Sequence, residues 1–317
     1  MKKIILPLIF LFISISSSYA QIDLGTMLQG VGQEYAQKYL EPLTTGLGEN
    51  LNSGFIGGYG PSSYHKIPIW PHLYIGMKFC GVVMQDADKT FNINYQSNYN
   101  VGGGIVVPVN WTVSNAPTVF GSTTPAVATG TYNLGGTQYT TQQQLIGGLE
   151  DIKFVPLFIP KIGIGTVLGT DLVVSILPGI GYGNYGTFTL FGAALRHNLG
   201  AYIKDLPFDI AVQGGYQNFG IKDKNDNKFI SANTEFVNLQ LNKTIAIVSI
   251  YAGAQYENYS VDVNYVYNGT NITFNQKGDN SFRGILGGTL SLAIVKLNFD
   301  LNYGSKFAFS AGLGVGL

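Results

Sequence analysis

Few side chains in this 317-residue sequence could begin catalytic or metal chemistry: it has three histidines and one cysteine. His65 and His72 flank Trp70, His197 stands alone, and Cys80 lies in an apolar run. The sequence contains neither an HExxH motif nor a pair of cysteines at zinc-ligand spacing. We therefore expect no metal site and no cofactor. A lone thiol also excludes an internal disulfide, so Cys80 is interpreted as a small packing residue.

Hydrolytic chemistry would need His197 as its base. A catalytic triad requires a nucleophile, a base and an orienting group that meet in space. No GxSxG nucleophile motif accompanies His197. We predict no catalytic residue and expect that the protein is not an enzyme. His197 is interpreted as a turn or lumen-lining residue, and His65 and His72 as solvated residues.

The first twenty residues have the pattern of an export signal. Lys2 and Lys3 precede an apolar run over residues 4–15, and Ser18 and Ala20 occupy the positions that signal peptidase reads. Residues 1–20 are therefore predicted to be a signal peptide that is cleaved before Gln21. An apolar run of this length is short for a membrane anchor, since a spanning helix needs about 20 residues.

The composition is unusual for a protein with a soluble surface. Only 11% of the residues are charged, the net charge is zero, and there are 42 Gly, 20 Tyr and 19 Phe residues. An average soluble domain is about 25% charged. This mixture suits a wall with one face toward lipid and one toward water. A neutral balance also argues against a nucleic-acid partner, because binding phosphates needs clustered Lys and Arg.

Beyond about residue 71, apolar and polar residues alternate with a period of two. The alternation begins over residues 73–80 and is clearest over residues 208–217, 237–242, 248–257, 297–303 and 307–317. A membrane-spanning strand needs about 9–11 residues, and strands can span lipid only as a closed barrel. A soluble β-sandwich also alternates, but here the polar face is Gly, Ser, Asn, Gln and Tyr with few charges. Residues 61–317 are therefore predicted to form an all-β, transmembrane antiparallel barrel of about 12–14 strands.

The segment 21–60 has a helical pattern instead. Apolar residues recur at spacings of three and four, and Pro42 is expected to bend or break the helix. Periodicity leaves two positions open, a periplasmic helix packed on the barrel mouth or a plug inside the lumen. In either position the segment could act as a gate, and the candidate gate residues are Leu28, Val31, Tyr35, Tyr39 and Leu43.

The connections between predicted strands divide into short and long. Residues 302–305 are predicted to form a tight turn, and residues 221–228 and 260–280 to form polar loops. The Thr/Gln/Gly-rich stretch 121–144 could be a long outer loop or a constriction folded into the lumen. Long loops normally face outward and short turns face the periplasm.

Several short stretches resemble a known family. They are Lys38-Tyr39-Leu40-Glu41-Pro42-Leu43, Asp88-Lys89-Thr90-Phe91, and Gly192-Ala193-Ala194-Leu195-Arg196-His197 before Leu206-Pro207-Phe208-Asp209. Together they resemble an uncharacterised family of outer-membrane barrels of Bacteroidetes-type bacteria. More remotely, the plan is similar to the outer-membrane long-chain fatty-acid transporters, which implies a barrel with an N-terminal hatch. The Asn-Pro-Ala signature of that hatch does not follow Gln21.

These observations lead to three hypotheses for function. The first is a passive outer-membrane channel or transporter for a hydrophobic or neutral small molecule, because a lumen with few charges does not suit an ion-selective porin. The second is a non-transporting scaffold of a secretion or surface-assembly complex, with a periplasmic or surface protein as partner. The third is an outer-membrane hydrolase, which would need a serine beside His197 on the lipid-facing wall.

Overall fold

The computed structural model describes residues 33–57, 72–148, 153–165, 169–181, 187–203, 206–222, 227–267, 270–278 and 282–316. The predicted signal peptide, residues 1–20, and the start of the segment 21–60 lie outside these ranges, as do Trp70 and His65. Among the residues described, no helix is both long and apolar enough to cross a membrane.

The regular elements of the described part of the chain are one α-helix, two short 3-10 turns and fifteen strands. The helices are α1 (Gln33–Ser53) and the short 3-10 turns η1 (Asp86–Asp88) and η2 (Leu199–Ala201). The strands are β1 (His72–Val83), β2 (Thr90–Asn100), β3 (Val106–Pro117), β4 (Val127–Leu134), β5 (Thr137–Gln144), β6 (Phe154–Gly165), β7 (Thr170–Gly181), β8 (Thr187–Asn198), β9 (Asp209–Lys222), β10 (Lys228–Ile245), β11 (Val248–Tyr267), β12 (Thr270–Lys277), β13 (Phe282–Leu292), β14 (Val295–Tyr303) and β15 (Phe307–Gly316).

Within these ranges, ten strands close a ring in the order β1-β6-β7-β8-β9-β10-β11-β13-β14-β15. Every neighbouring pair is antiparallel, and β15 pairs with β1 to complete the circle. The predicted fold class is confirmed, but the ring has fewer strands than the expected 12–14. The difference arises because β2 to β5 form a separate four-stranded sheet and β12 pairs only with the far end of β11.

The wall has apolar side chains outside and polar side chains inside. On the outer face Leu286 is 59% exposed and Leu195 is also 59% exposed, whereas Asp300 is 0% and Gln213 only 1% exposed on the inner face. An exposed apolar band of this size is unfavourable in water and favourable against lipid. This inverted distribution distinguishes a membrane barrel from the soluble β-sandwich that the alternation alone allowed.

The two ends of the ring differ in their connections. At the end called the turn end, two-residue turns join β10 to β11 and β13 to β14. Ala246 and Ala293 begin these turns with φ of 54° and 53°, left-handed values that tight hairpins require. At the opposite end, called the cap end, the chain between β1 and β6 forms the sheet β2–β5, called the cap sheet. β14 and β15 are joined at this end through residues 304–306, close to the predicted turn.

The stretch 121–144 lies in the connection at the cap end and is mainly the hairpin of β4 and β5. The prediction of a polar loop over 260–280 was wrong, because most of that stretch belongs to β11 and β12, where its Val and Tyr residues favour extended backbone. Helix α1 is not broken at Pro42 and continues to Ser53. Its packing on several sides offsets the one backbone hydrogen bond that the proline removes.

Candidate functional site

Residues 33–57, called the inner segment, run from the cap sheet into the ring. Helix α1 contacts β1, β6, β9, β10, β11 and β15, which are strands on different sides of the wall. Leu51 and Phe55 are 0% exposed, and fifteen of the 21 helix residues are buried. A helix that touches wall strands in several directions is enclosed by them.

Three glycines let the inner segment approach the wall. A Cβ atom at Gly46 would meet the side chain of Val155, one at Gly48 would meet the ring of Tyr259, and one at Gly54 would meet Ile159. The helix therefore fits the lumen only with small residues on these sides.

Uncharged hydrogen bonds join the inner segment to the wall. The Asn50 side-chain amide donates to the Val155 carbonyl at 2.5 Å, and the Asn52 amide donates to the Asn258 carbonyl at 3.1 Å. From the wall, the Gln255 amide donates to the Asn52 carbonyl at 3.1 Å. The bonds satisfy polar groups that would otherwise be costly to bury.

A buried ionic cluster holds the same segment. Arg283 donates from Nε and Nη2 to the two oxygens of Glu257, at 2.9 and 2.7 Å, and from Nη2 to the Glu49 carbonyl at 3.1 Å. Its Nη2 lies 4.0 Å from Oε2 of Glu49, and the other oxygen of that carboxylate, Oε1, accepts a hydrogen bond from Ser305. Arg283 also donates to Ser53. The guanidinium thus joins β11 and β13 to the helix.

A second ion pair lies at the end of the inner segment that is nearer the turn end. The Lys78 ammonium is 2.7 Å from Asp300, and Tyr251 donates to the same carboxylate at 3.0 Å. Lys78 also donates to the Ile56 carbonyl. This group connects the wall to the point where the described inner segment ends, at Gly57.

The lumen is more highly charged than the composition indicated. The chain has 18 basic and 18 acidic residues in total, and several of them are buried against the lumen. These buried charged residues include Lys78, Lys161, Asp171, Arg196, Glu257, Arg283 and Asp300. The expectation of a weakly polar lumen was wrong, because the total charge is low but its inward share is high. The signal was partly present in the sequence: Lys78 and Asp300 occupy the polar side of an alternating strand, whereas Lys161 shares its inward side with apolar residues.

Below the inner segment, toward the turn end, lies a small cavity of about 20 Å³, which is room for about one water molecule. Gly57 and Tyr251 line it where the inner segment ends. The remaining lining residues are Arg196, Asp209, Ala211, Gln240, Asn242, Ser249 and Thr289. Next to the inner segment, the Lys161 ammonium is 5.1 Å from the centroid of the Phe55 ring. We take this cavity and the inner segment as the candidate functional site.

The upper end of α1 packs against the cap sheet and its connections. The Tyr35 ring centroid lies 5.1 Å from that of Phe91 and 6.2 Å from that of Tyr95. Tyr39 donates to the Gly147 carbonyl at 3.0 Å. Burial raises the pKa of Tyr95 to about 12, so this hydroxyl stays neutral at physiological pH.

The predicted gate residues divide into two groups. Leu28 and Val31 lie outside the described residues. Tyr35 and Tyr39 are fully buried in the contact with the cap sheet and its connections, and Leu43 is half-buried beside the same apolar cluster. The polar residues that fasten the inner segment were not among the candidates, because the sequence analysis followed only the apolar face of the helix.

The histidines do not meet in a site within the described chain. His72 begins β1, and no group of three or more His, Cys, Asp or Glu residues that could hold a metal is found in the described part. His197 is half-buried between the inward-facing Arg196 and Asn198. Its ring nitrogens contact the hydroxyls of Thr170 at 2.8 Å and Tyr202 at 3.1 Å, where the hydrolase hypothesis required a serine.

A family profile matches residues 1–317 of the sequence. The chain belongs to DUF6588, a family of unknown function. Membership of DUF6588 agrees with the resemblance to an uncharacterised family. The bacterial group and the remote similarity to fatty-acid transporters stay predictions. A comparison of this DUF6588 chain with curated proteins gives no match.

Three solved structures similar to this DUF6588 chain give low scores. The outer membrane protease OmpT from Escherichia coli is 12% identical, with 80% of this chain and 100% of that chain covered and a TM-score of 0.29. The toluene transporter TbuX from Ralstonia pickettii is 10% identical, with 81% and 93% covered and a TM-score of 0.26. OccK1 from Pseudomonas aeruginosa is 10% identical, with 78% and 97% covered and a TM-score of 0.19.

Proposed function

We propose that this chain is an outer-membrane channel for a small neutral molecule and that the inner segment is its gate. The observation that carries the proposal is that the inner segment runs into the ring and ends above a small cavity. A solute that crosses the barrel must pass the inner segment, so displacement of that segment would control passage. Passage by binding and diffusion requires no covalent chemistry.

The contacts of the inner segment suit a part that moves. They include hydrogen bonds that the wall side chains Arg283 and Gln255 donate to carbonyls of the inner segment, beside apolar contacts of Leu51 and Phe55. Water can replace such contacts more easily than it can replace a continuous apolar interface, because both partners remain solvated after separation. The glycines at 46, 48 and 54 leave no interlocking side chains on those sides of the helix.

The sequence predicted a hydrophobic or a neutral small molecule as the solute, and the lining of the cavity favours a neutral one. Its lining combines amides, hydroxyls, one guanidinium and one carboxylate, with Ala211 and Gly57 as the small apolar members. A hydrophobic solute would have to remove water from these polar groups without replacing their hydrogen bonds, which is costly. A neutral polar solute can replace them.

A reversible disulfide between helix and wall tests the gate. A Cβ at Gly46 would lie 3.0 Å from the Cβ of Val155, so a small shift reaches the roughly 3.5–4.5 Å of a disulfide. Gly46→Cys and Val155→Cys are combined with Cys80→Ala and reconstituted into liposomes. We expect swelling in an isotonic glucose solution to be at least about tenfold slower when oxidised than after reduction with dithiothreitol.

The two single-cysteine variants, each with Cys80→Ala, are the matched controls and should swell equally under both conditions. Mass spectrometry establishes that the disulfide has formed. Equal swelling of the oxidised and reduced double variant, or no swelling in either state, contradicts the gated channel.

A second candidate is the non-transporting scaffold, and one observation favours it. The cap sheet and the hairpin tip that joins β2 to β3 expose apolar side chains, with Ile105 at 48%, Val106 at 60% and Val127 at 53%. Exposed apolar groups of this kind can mark a protein interface. The scaffold predicts a stoichiometric protein that co-purifies with the wild type and is lost with Val106→Asp, together with no glucose-driven swelling.

A further inference from the structure

We propose that the exposed face of the cap sheet binds an uncharged polysaccharide chain. The inference goes beyond the proposed channel, because it concerns a surface outside the ring and not the path through it. Strands β2 to β5 form this sheet as an insertion between β1 and β6 at the cap end. The sheet therefore lies beyond the wall that faces lipid, where a polymer in the aqueous phase can reach it.

The cap sheet has one buried face and one exposed face. On the buried face, Tyr95, Val109 and Trp111 are at most 6% exposed and belong to the apolar cluster that includes Tyr35 of α1. The residues that alternate with them along β2 and β3 are exposed. In the described part of the chain, packing on the helix thus occupies one side of the sheet and leaves the other side open to a partner.

Side chains on the exposed face stand in two rows that cross all four strands, and each member lies directly opposite the next. The first row consists of Asn94, Thr112, Thr129 and Gln142. The second row consists of Gln96, Asn110, Thr131 and Thr140. Every member carries an amide or a hydroxyl, and all except the half-buried Thr131 are exposed. Because paired strands lie roughly 4.8 Å apart, each row repeats a hydrogen-bonding group at that interval.

The sequence of the cap sheet carries no charge. Residues 90–149 contain no Asp, Glu, Lys, Arg or His. An exposed protein surface normally carries interspersed charges of both signs. A charged partner would lose water on this face without gaining a counter-charge, which is costly. The face is therefore complementary to a partner that is itself uncharged.

The chemistry of the two rows matches the hydroxyl groups of sugars. Amides and hydroxyls both donate and accept hydrogen bonds, and so do sugar hydroxyls as a set. A neutral polysaccharide repeats such groups along its length, so one chain can bond to successive members of a row and add many weak contacts. Protein interfaces are instead enriched in aromatic, Met and Arg side chains, and neither row contains one.

One contact within the second row already orients two of its amides. The Gln96 side-chain nitrogen donates to the Asn110 side-chain oxygen at 3.0 Å. An amide can form several hydrogen bonds, so each side chain retains capacity for a ligand. Holding both amides in place before binding reduces the conformational entropy that binding would otherwise cost.

The test measures binding of the full-length mature protein in detergent micelles to immobilised polysaccharides by biolayer interferometry. The neutral probes are dextran, laminarin, mannan and xyloglucan. Dextran sulfate and DEAE-dextran present opposite charges on the same glucan backbone. We expect at least one neutral probe to bind and neither charged dextran to bind. The affinity for the neutral probe should not change with NaCl concentration, because no ion pair contributes to it.

Single substitutions in the two rows test where the neutral probe binds. Thr112→Val and Asn110→Ala should each weaken binding by a factor of about five, as the loss of one hydrogen bond implies. Thr273→Val and Asn275→Ala make the same changes at exposed positions of β12, outside both rows, and should leave binding unchanged. Thr112→Val keeps the shape and β-branching of the side chain, so it guards against a folding defect in the other variant.

Three results would overturn the proposal. They are no binding of any neutral probe, tighter binding of a charged dextran, and equal affinity in the wild type and both row variants. Release of a co-purifying protein by Thr112→Val, without polysaccharide binding, would assign the face to a protein partner instead. The swelling assay reads passage through the ring and uses none of these residues, so failure here is separate from failure of the channel.

Discussion

At the residue scale, the lumen concentrates the few charges of the chain into paired groups. Arg283 is 2% exposed and serves two carboxylates, Glu257 and Glu49, that are 2% and 0% exposed. A buried charge is tolerated only when it is paired and hydrogen-bonded. This cluster therefore fastens the inner segment and depends on all its members, since removal of one leaves the others buried without compensation.

Replacing this guanidinium should destabilise the protein strongly. Arg283→Met leaves two carboxylates buried without their cation, and we expect a loss of about 3–5 kcal/mol in the free energy of unfolding. Urea unfolding in detergent micelles, followed by tryptophan fluorescence, measures the loss. Adding Glu257→Gln and Glu49→Gln to the variant should recover most of it, because no unpaired charge then remains.

The ion pair of Lys38 and Glu41 is exposed, in contrast to the buried Arg283 cluster. These side chains are 48% and 34% exposed at a separation of 2.8 Å, so water screens their attraction. Lys38→Met should change the free energy of unfolding by less than about 1 kcal/mol. If Arg283→Met and Lys38→Met lower the free energy of unfolding by similar amounts, the buried Arg283 cluster stabilises the protein no more than a surface ion pair does.

At the element scale, the same helix would behave differently in isolation and in the lumen. In a free helix, glycine to alanine is stabilising by about 1 kcal/mol. Inside the ring, an added methyl at Gly48 meets the Tyr259 ring. A glycine-to-alanine substitution therefore stabilises a helix that is free of the wall and destabilises a helix that packs against it.

We expect Gly48→Ala to destabilise the seated helix by about 1–3 kcal/mol, the usual cost of overpacking. Limited proteolysis of the inner segment in detergent, together with urea unfolding, measures the effect. Tyr259→Leu in the same chain should restore seating by making room. The control is Gly214→Ala, where an added Cβ would have its nearest neighbour at 3.7 Å. A stabilised Gly48→Ala protein would argue against a seated helix.

How far the sequence predicted the fold depended on what each element faces. Strands β9, β10, β11, β14 and β15 were predicted well, because a lipid-facing side must be apolar and the lumen side tolerates polar residues. The cap sheet meets no lipid, so its Thr and Gln residues gave no such signal. The tight turns at Ala246 and Ala293 lack the Asn-Gly or Asp-Gly signature and could not be recognised by composition.

The candidate site was predictable only in part. The helical period of the inner segment identified Tyr35, Tyr39 and Leu43 as an apolar face, and all three pack in the structure. A period does not say which element packs against that face or where the helix lies. The pairing of Arg283 with Glu49 joins residues more than two hundred positions apart, so it follows from ring closure and not from any local pattern.

At the scale of the whole molecule, helix α1 and strand β1 run in opposite directions. Helix α1 runs from the cap end toward the turn end, and β1 runs from the turn end toward the cap end. Gln33 at the start of α1 donates to the Thr273 carbonyl of β12, at the cap end. His72, which begins β1, lies at the turn end beside Gly165. From Gln33 to Gly57 the chain descends from the cap end into the lumen. The start of the helix therefore shares a face with the cap sheet.

Long connections mark the outer face of such barrels and short turns the periplasmic face. Strands β10 and β11, with 18 and 20 residues, are also longer than the roughly 9–11 needed to cross lipid, and β12 extends β11 at the cap end. We therefore expect the cap sheet and the start of α1 to face the cell exterior, with the turns at 246–247 and 293–294 in the periplasm.

Single cysteines test this orientation. Gln138→Cys in the cap sheet and Glu34→Cys in α1 should react with a membrane-impermeant maleimide on intact cells, whereas Ile247→Cys should react only after the outer membrane is permeabilised. The native Cys80 is 0% exposed and should stay unlabelled, so the wild type is the background control. Labelling of Ile247→Cys but not Gln138→Cys on intact cells would reverse the orientation. Labelling of Gln138→Cys without labelling of Glu34→Cys would place the start of the helix away from the cell surface. A solute would then reach the gate by a route that does not pass the start of the helix.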